Sequence, residues 1–220
     1  MAQMLALWDF DGTIAKGDSV FPWVRLMIKK GEMKPADLVR MAAAFLRWRL
    51  GRSDILAFKE TSTAFLRGKS EEEADTLGEA LWREVLSKRL YTDSVTEIRR
   101  QKEAGIQVII VSASTDCYMR TVARELGADA LLCTRCETDE AGRYTGRLTG
   151  KNCRCEEKPR RIAAYLAEHG MNDSEIISAW GDSFGDLPML SMAKTAHAIN
   201  PRRRMRKNLP AGAIIERYSV

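Results

Sequence analysis

Apolar and polar positions along this chain follow two different rhythms. The first apolar run, Met4-Leu5-Ala6-Leu7-Trp8, is unbroken and stops at the polar turn Asp9-Phe10-Asp11-Gly12-Thr13. A short apolar run without alternation predicts a strand buried on both faces. From about Ile14 to Tyr91 the apolar residues recur at helical spacing, with almost no β-branched runs. Between Ala36 and Leu50, for example, Leu38, Val39, Met41, Ala42, Phe45 and Leu46 share one broad face. Several helices are expected there.

From Asp93 onward, helix and strand alternate. Thr92 or Asp93 is expected to cap a helix that runs to Glu103 and ends at Gly105. Ile106 to Val111 reads as a buried strand leading into Ser112. Thr115 or Asp116 opens a helix to about Leu126, closed by Gly127. Ala130 to Cys133 is a further strand, and Gly142, Gly146 and Gly150 mark a hairpin-like excursion over 136–152. Pro159 sits in the first turn of a helix reaching His169. Ile176 to Trp180 is a strand followed at once by Gly181-Asp182-Ser183, and Ala196 to Ile199 a last short one. Strands separated by single helices imply parallel pairing through right-handed crossovers. The expected fold class is α/β, a doubly wound parallel-sheet core at 1–14 and 92–220, with a helical domain inserted at 15–91.

Composition narrows this picture little. The 220 residues are 45% hydrophobic, and 35 Lys+Arg against 30 Asp+Glu leave a formal charge of +5. That is compatible with a solvated mixed surface or with an anionic partner. No apolar run reaches the ~18 residues of a membrane span. Without an export signal, the five cysteines read as reduced thiols of a cytoplasmic protein. The pairs Cys133/Cys136 and Cys153/Cys155 raise the question of zinc, but the second spacing is tight for a zinc knuckle, and inert thiols are the expectation. Arg25 to Arg52 holds eight Lys/Arg and two acidic residues, with Trp23, Phe45 and Trp48 interleaved. It reads either as a solvated helix face or as a surface for an anionic or lipid-like substrate. No nucleic-acid motif is present. Arg202 to Lys207 reads as a solvated segment, and His169 and His197 have no partner pattern.

The chemistry sits at strand ends. In an open parallel sheet, ligands bind beyond the carboxyl ends of the strands. Asp9 and Asp11 follow the first strand, Ser112 and Ser114 the second, and Asp182 and Asp186 the strand at 176–180, while Lys158 begins a helix. Crowded carboxylates repel one another unless a cation intervenes, and hard oxygen ligands suit magnesium. A lysine, a serine hydroxyl and turn N–H groups suit a phosphate. A carboxylate can then attack phosphorus, and a second one two residues on can protonate the leaving oxygen.

Four motifs carry a resemblance to the haloacid dehalogenase (HAD) superfamily. Asp9-Phe10-Asp11-Gly12-Thr13-Ile14 resembles its first motif, Val111-Ser112-Ala113-Ser114 its second, Lys158 its third and Gly181-Asp182-Ser183-Phe184-Gly185-Asp186 its fourth. The insert after the first motif, with Thr149-Gly150-Lys151-Asn152-Cys153 ahead of Lys158, resembles subfamily IB and its phosphoserine-phosphatase-like branch. The resemblance implies a magnesium-dependent phosphatase acting through an aspartyl-phosphate. Asp9 would be nucleophile and metal ligand, and Asp11 general acid/base with its backbone carbonyl on the metal. Ser112, with the backbone N–H groups of Gly12 and Ala113, would bind the phosphoryl group. Lys158 would pair with Asp9 and that group, Asp182 would bind magnesium, and Asp186 would act behind them. Asp18 falls where the branch places a Glu that reads the substrate amino group. The chain departs from that branch at Ala113-Ser114 and at Gly185.

A small-molecule phosphate monoester is the expected substrate. The alternatives are a lipid head-group phosphate such as phosphatidylglycerophosphate, which would bring peripheral membrane contact, a phosphotransferase, and a non-catalytic phosphate-binding module. Oligomeric state is not legible.

Overall fold

The computed structural model describes residues 3–53 and 55–220. Its seven strands are β1 (Leu5–Trp8), β2 (Gln107–Thr115), β3 (Ala130–Thr138), β4 (Tyr144–Thr149), β5 (Ile176–Gly181), β6 (Thr195–Ile199) and β7 (Ile214–Glu216). The helices are α1 (Val20–Lys29), α2 (Pro35–Arg49), α3 (Ile55–Thr63), α4 (Glu71–Glu84), α5 (Thr92–Glu103), α6 (Asp116–Leu126), α7 (Glu157–Glu168), α8 (Leu187–Leu190) and α9 (Arg203–Arg206). One sheet runs β4-β3-β2-β1-β5-β6-β7. Every neighbouring pair is parallel except β3 and β4, which form the antiparallel hairpin read from the glycines.

β1 is the middle strand, and all four of its residues are buried. Successive side chains of a strand point to opposite faces, so Leu5 and Leu7 join Ile109, Val111, Ile162, Leu166 and Met189 on one side. Ala6 and Trp8 join Val108, Ile110, Ile98 and Tyr118 on the other. Trp8 stacks on Trp180 with ring centroids 4.1 Å apart, and its indole N–H donates to Gln101 Oε1 at 3.0 Å. With both faces covered, the sheet is a doubly wound α/β core. The crevice beside β1, where the chain order reverses, is the place such a fold offers to a ligand.

Between β1 and α5 the extended elements among the described residues are helices, as the periodicity implied, with isolated β-bridges joining Ala15 to Asp11 and to Leu90. Several details differ from expectation. β2 and β3 extend several residues past their expected ends, to Thr115 and Thr138. The residue at the N-cap of α5 is Tyr91, and no side chain caps that end. The basic segment at 202–207 is not simply solvated. It forms α9, buries Met205 and lays the Arg204 guanidinium 4.1 Å from the centre of the Phe184 ring. β7, whose residues Ile214 and Ile215 are exposed, carried no recognisable strand signal. His197 does have a partner: it bonds Glu216 at 2.6 Å and stacks on Trp180.

The largest difference lies in α2. Leu38 and Met41 pack against the core, but Val39, Ala42 and Leu46 of the same predicted face point to solvent. The helix is apolar on more than one side, so a broad apolar face did not identify the buried one. Among the described residues no helix is long and apolar enough to cross a membrane.

Candidate active site

Asp9 lies immediately beyond β1, and its N–H donates to the Trp180 carbonyl of β5 at 3.0 Å. This bond extends the β1–β5 ladder by one residue and sets the direction of the side chain. The Asp9 carboxylate is buried, and its Oδ1 accepts from Lys158 Nζ at 2.6 Å. Lys158, 1% exposed, also donates to the Val111 carbonyl at 2.7 Å and to Asp186 Oδ1 at 2.6 Å. All three ammonium hydrogens are thereby used. Burial alone would push the Lys158 pKa down, but Asp186 and then Asp9 more than offset it, and the ammonium is held protonated.

Carboxylates outnumber this cation. Oxygens of Asp9, Asp182 and Asp186 lie within 4.8 Å of one another. Burial and then the charge of Asp186 drive Asp9 well above the usual carboxylate range. The same two causes push Asp182 up to about 7. This excess of close, hard oxygen donors fits a divalent cation of the magnesium type. Asp186 is the least free of the three, because its Oδ2 accepts from the Ser183 N–H and hydroxyl at 2.9 and 2.7 Å. Gly12 makes room for the others. It has φ +83°, and a Cβ there would sit 2.2 Å from Asp182 Oδ2. Any side chain at this position would displace the Asp182 carboxylate.

Asp11 occupies a different setting. Its Oδ1 accepts from the Ser19 N–H at 2.8 Å. Its Oδ2 accepts from the hydroxyls of Ser114 at 2.6 Å and Ser19 at 3.0 Å. The Tyr118 hydroxyl stands behind, 3.0 Å from Ser19 Oγ. Burial, then the charge of Asp18, raise Asp11 to about 6, against the pull of these hydrogen bonds. A carboxyl that titrates there is suited to giving and taking a proton near neutral pH.

The loop after β2 supplies the remaining groups. Ser112 is buried and its Oγ accepts from the Ser114 N–H at 3.1 Å. The Ala113 carbonyl accepts from Lys59 Nζ at 2.6 Å and from Thr134 Oγ1 at 2.7 Å. Lys59 comes from α3, is 9% exposed, and also donates to Asn152 Oδ1 at 2.8 Å. Burial lowers its pKa to about 8, while Asp11 and Asp18 pull it back up. Arg154 borders the same region, and its Nε would lie 2.8 Å from a Cβ on Gly185. Gly185 thus leaves space for the Arg154 stem.

The structure brings Asp9, Asp11, Gly12, Ser112, Lys158, Asp182 and Asp186 together from four separate segments. One expectation needs correction. The Gly12 N–H donates to the Ala15 carbonyl at 2.7 Å and so is already engaged; the contribution of Gly12 is its missing side chain. Asp18, expected to read a substrate amino group, is exposed, its Oδ1 accepts from the Val20 N–H at 2.8 Å, and its charge raises Asp11. Among the described residues the grouping with close ligand atoms is Asp9, Asp182 and Asp186; of the paired cysteines, Cys133, Cys136 and Cys153 are buried and Cys155 is exposed. Sequence reasoning missed Ser19, Lys59 and Tyr118, and placed Ser114 after the second strand without giving it a role. Ser19 and Lys59 lie in a helical segment with no motif, and only the fold shows that they face the site.

A family model described as haloacid dehalogenase-like hydrolase matches residues 6–191. The phosphoserine phosphatase SerB1 of Mycobacterium tuberculosis is 29% identical over 205 residues, 91% of this chain and 66% of that protein. A histidinol-phosphatase of Neisseria meningitidis serogroup C is 28% identical over 210 residues, covering 92% of this chain and 93% of its own. A solved structure of a protein of unknown function from Bordetella pertussis Tohama I superposes with a TM-score of 0.86. It has 27% identity and covers 98% of both chains.

Proposed function

The chain belongs to the haloacid dehalogenase-like hydrolases, and on that premise we propose that it is a magnesium-dependent phosphomonoesterase working through an aspartyl-phosphate on Asp9. The observation that carries this reading is the Asp9–Lys158–Asp186 chain at the end of β1, with both links at 2.6 Å. Lys158 pins one Asp9 oxygen, fixes its rotamer and holds positive charge where a phosphoryl group would arrive. Asp186, anchored by Ser183, keeps Lys158 in place. Asp9, Asp182 and the backbone carbonyl of Asp11 would hold the metal. Bound magnesium supplies the charge that keeps the carboxylates ionised and draws electron density from the phosphoryl oxygens.

Asp9 attacks phosphorus, and the bond to the ester oxygen breaks. Asp11, able to carry a proton at pH about 6, gives it to that oxygen and releases the alcohol. The resulting carboxylate takes a proton from water, which attacks the phosphoryl group and regenerates Asp9. Ser112 and the Ala113 N–H hold the phosphoryl oxygens through both steps. Residues 15–91 act as a cap domain over a core domain of 1–14 and 92–220, excluding bulk water and choosing the alcohol.

For the substrate we propose a phosphate monoester of a primary 2-amino alcohol. Phosphoserine and histidinol phosphate, the compounds named for the two phosphatase relatives, share that group. Asp18, close enough to raise Asp11 electrostatically, is placed to attract an ammonium. Lys59 is placed to attract a carboxylate. The test is a phosphate-ester panel with magnesium, containing phosphoserine, histidinol phosphate and sugar phosphates. Preference for the amino alcohol phosphates is expected, and equal rates on the sugar phosphates would reject this substrate class. Acid quenching during turnover should place one phosphoryl group on the peptide bearing Asp9. Retained turnover by Asp9→Asn would overturn the mechanism.

A further inference from the structure

Among fifteen residues, α2 buries none. Its inner side is half-buried, with Leu38 and Met41 against the core and Trp48 and Phe45 against Phe58 of α3. The outer side is unusual. Every exposed residue of the helix is either apolar or arginine: Pro35, Ala36, Val39, Arg40, Ala42, Ala43, Phe45, Leu46, Arg47 and Arg49. A helix turned toward water normally carries Glu, Gln and Lys there. Val39, Leu46 and, at the C-cap, Leu50 are 69%, 59% and 57% exposed. With Ala36 and Ala43 they recur at alternating intervals of three and four and so form one stripe. On the helix surface Arg40 and Arg47 border it on one side and Arg49 on the other. Arg40 is held by Asp37 at 3.3 Å, whereas Arg47 and Arg49 have no ion pair among the described residues. The preceding helix repeats the theme. Phe21 and Ile28 of α1, seven apart and therefore on one face, are 62% and 42% exposed beside Arg25 and Lys29.

We propose that the outer face of α2 docks on an anionic lipid bilayer, lying in the interface without crossing it. The apolar stripe would enter the headgroup boundary while the flanking arginines extend to lipid phosphates. A second copy of the chain is the weaker occupant. Pairing two such stripes would place Arg40, Arg47 and Arg49 against their own equivalents, with no acidic residue on the outer face to offset them. The proposal concerns a surface and is independent of the substrate assignment, since soluble and lipid-borne phosphates reach the same Asp9.

Vesicle co-sedimentation of the full chain tests it. Phosphatidylcholine vesicles with and without about 30 mol % phosphatidylglycerol would be compared, with binding to the anionic vesicles expected to be at least about tenfold stronger and to weaken with salt. Two variants dissect the face: Val39→Ser with Leu46→Ser, and Arg47→Gln with Arg49→Gln. Each is expected to reduce binding about tenfold. Both should keep the wild-type circular dichroism and the wild-type rate on a soluble aryl phosphate, because these side chains lie outside the site. Absence of wild-type binding to anionic vesicles overturns the proposal. So does binding that the serine pair leaves intact, or a vesicle-free dimer, seen by light scattering, that the serine pair dissociates.

Discussion

Asp9 and Asp11 are separated by a single residue yet sit in two unlike regions. Asp9 belongs to a floor of charges: Lys158, Asp182 and Asp186, all delivered by core elements beyond β1. Asp11 belongs to a seam of hydroxyls, with Ser19 from the start of α1, Ser114 from β2 and Tyr118 from α6. The floor has too much negative charge and calls for a cation. The seam is neutral apart from Asp11, Asp18 and Lys59, and it tunes one proton. On the proposed mechanism, one strand end would serve two tasks, binding and attacking a phosphoryl group below, and moving a proton above.

Substitution of the two aspartates gives the sharpest contrast. Asp9→Asn should lower turnover by at least about a thousandfold on every ester, with no covalent phosphoryl-enzyme. Asp11→Asn should spare formation of that species from an aryl phosphate, whose leaving group needs no proton, and slow its hydrolysis, so that it accumulates. Equal loss of the phosphoryl-enzyme in both would abolish the distinction between floor and seam.

Next in size is the floor's dependence on metal. Asp182, raised to about 7, holds a proton in the metal-free folded chain that the unfolded chain gives up near pH 4. Its favourable contribution to apo stability is therefore lost as pH rises from about 4 through 7. Magnesium should raise the melting temperature most at the top of that window. Asp182→Asn should flatten the pH dependence and remove most of the magnesium effect, which thermal melts with and without chelator would show.

Smaller effects are expected in the seam. Asp11 must be protonated to serve as acid, so the rate on alkyl phosphates should fall as pH rises through about 6. The Ser114 hydroxyl favours the ionised form of Asp11, and Asp18 disfavours it. Ser114→Ala should move that limb to higher pH with a rate loss of about tenfold, whereas Asp18→Asn should move it to lower pH. Shifts of the same sign would break the account. Lys59→Met should have the mildest consequence, raising KM several-fold for phosphoserine and little for histidinol phosphate, since only the former carries a carboxylate.

Much of the fold was legible because its signals are local. Leu5 to Trp8 is an unbroken apolar run, and Gly127 closes α6 at φ +65°, so strand, turn and helix follow from neighbours in the chain. The carboxylates of the site were legible for the same reason: Asp9, Asp11, Asp182 and Asp186 stand in short turns after strands. The α5 cap was misread because a Thr-Asp pair offers two capping hydrogen-bond acceptors, while the backbone chose Tyr91 and left both inside the helix. β7 was missed because three residues give no period.

The sequence by itself determined the class of chemistry through four motifs, in order, that resemble those of the haloacid dehalogenase-like hydrolases. Only the tertiary structure decided which atoms meet. Ser114 lies 103 residues from Asp11, and Lys59 lies 93 residues from Asn152. Helical periodicity can show that α2 is apolar on a face, but it carries no information about what covers that face. Burial is a property of neighbours, and in α2 it leaves a stripe of Val39, Leu46 and Leu50 uncovered.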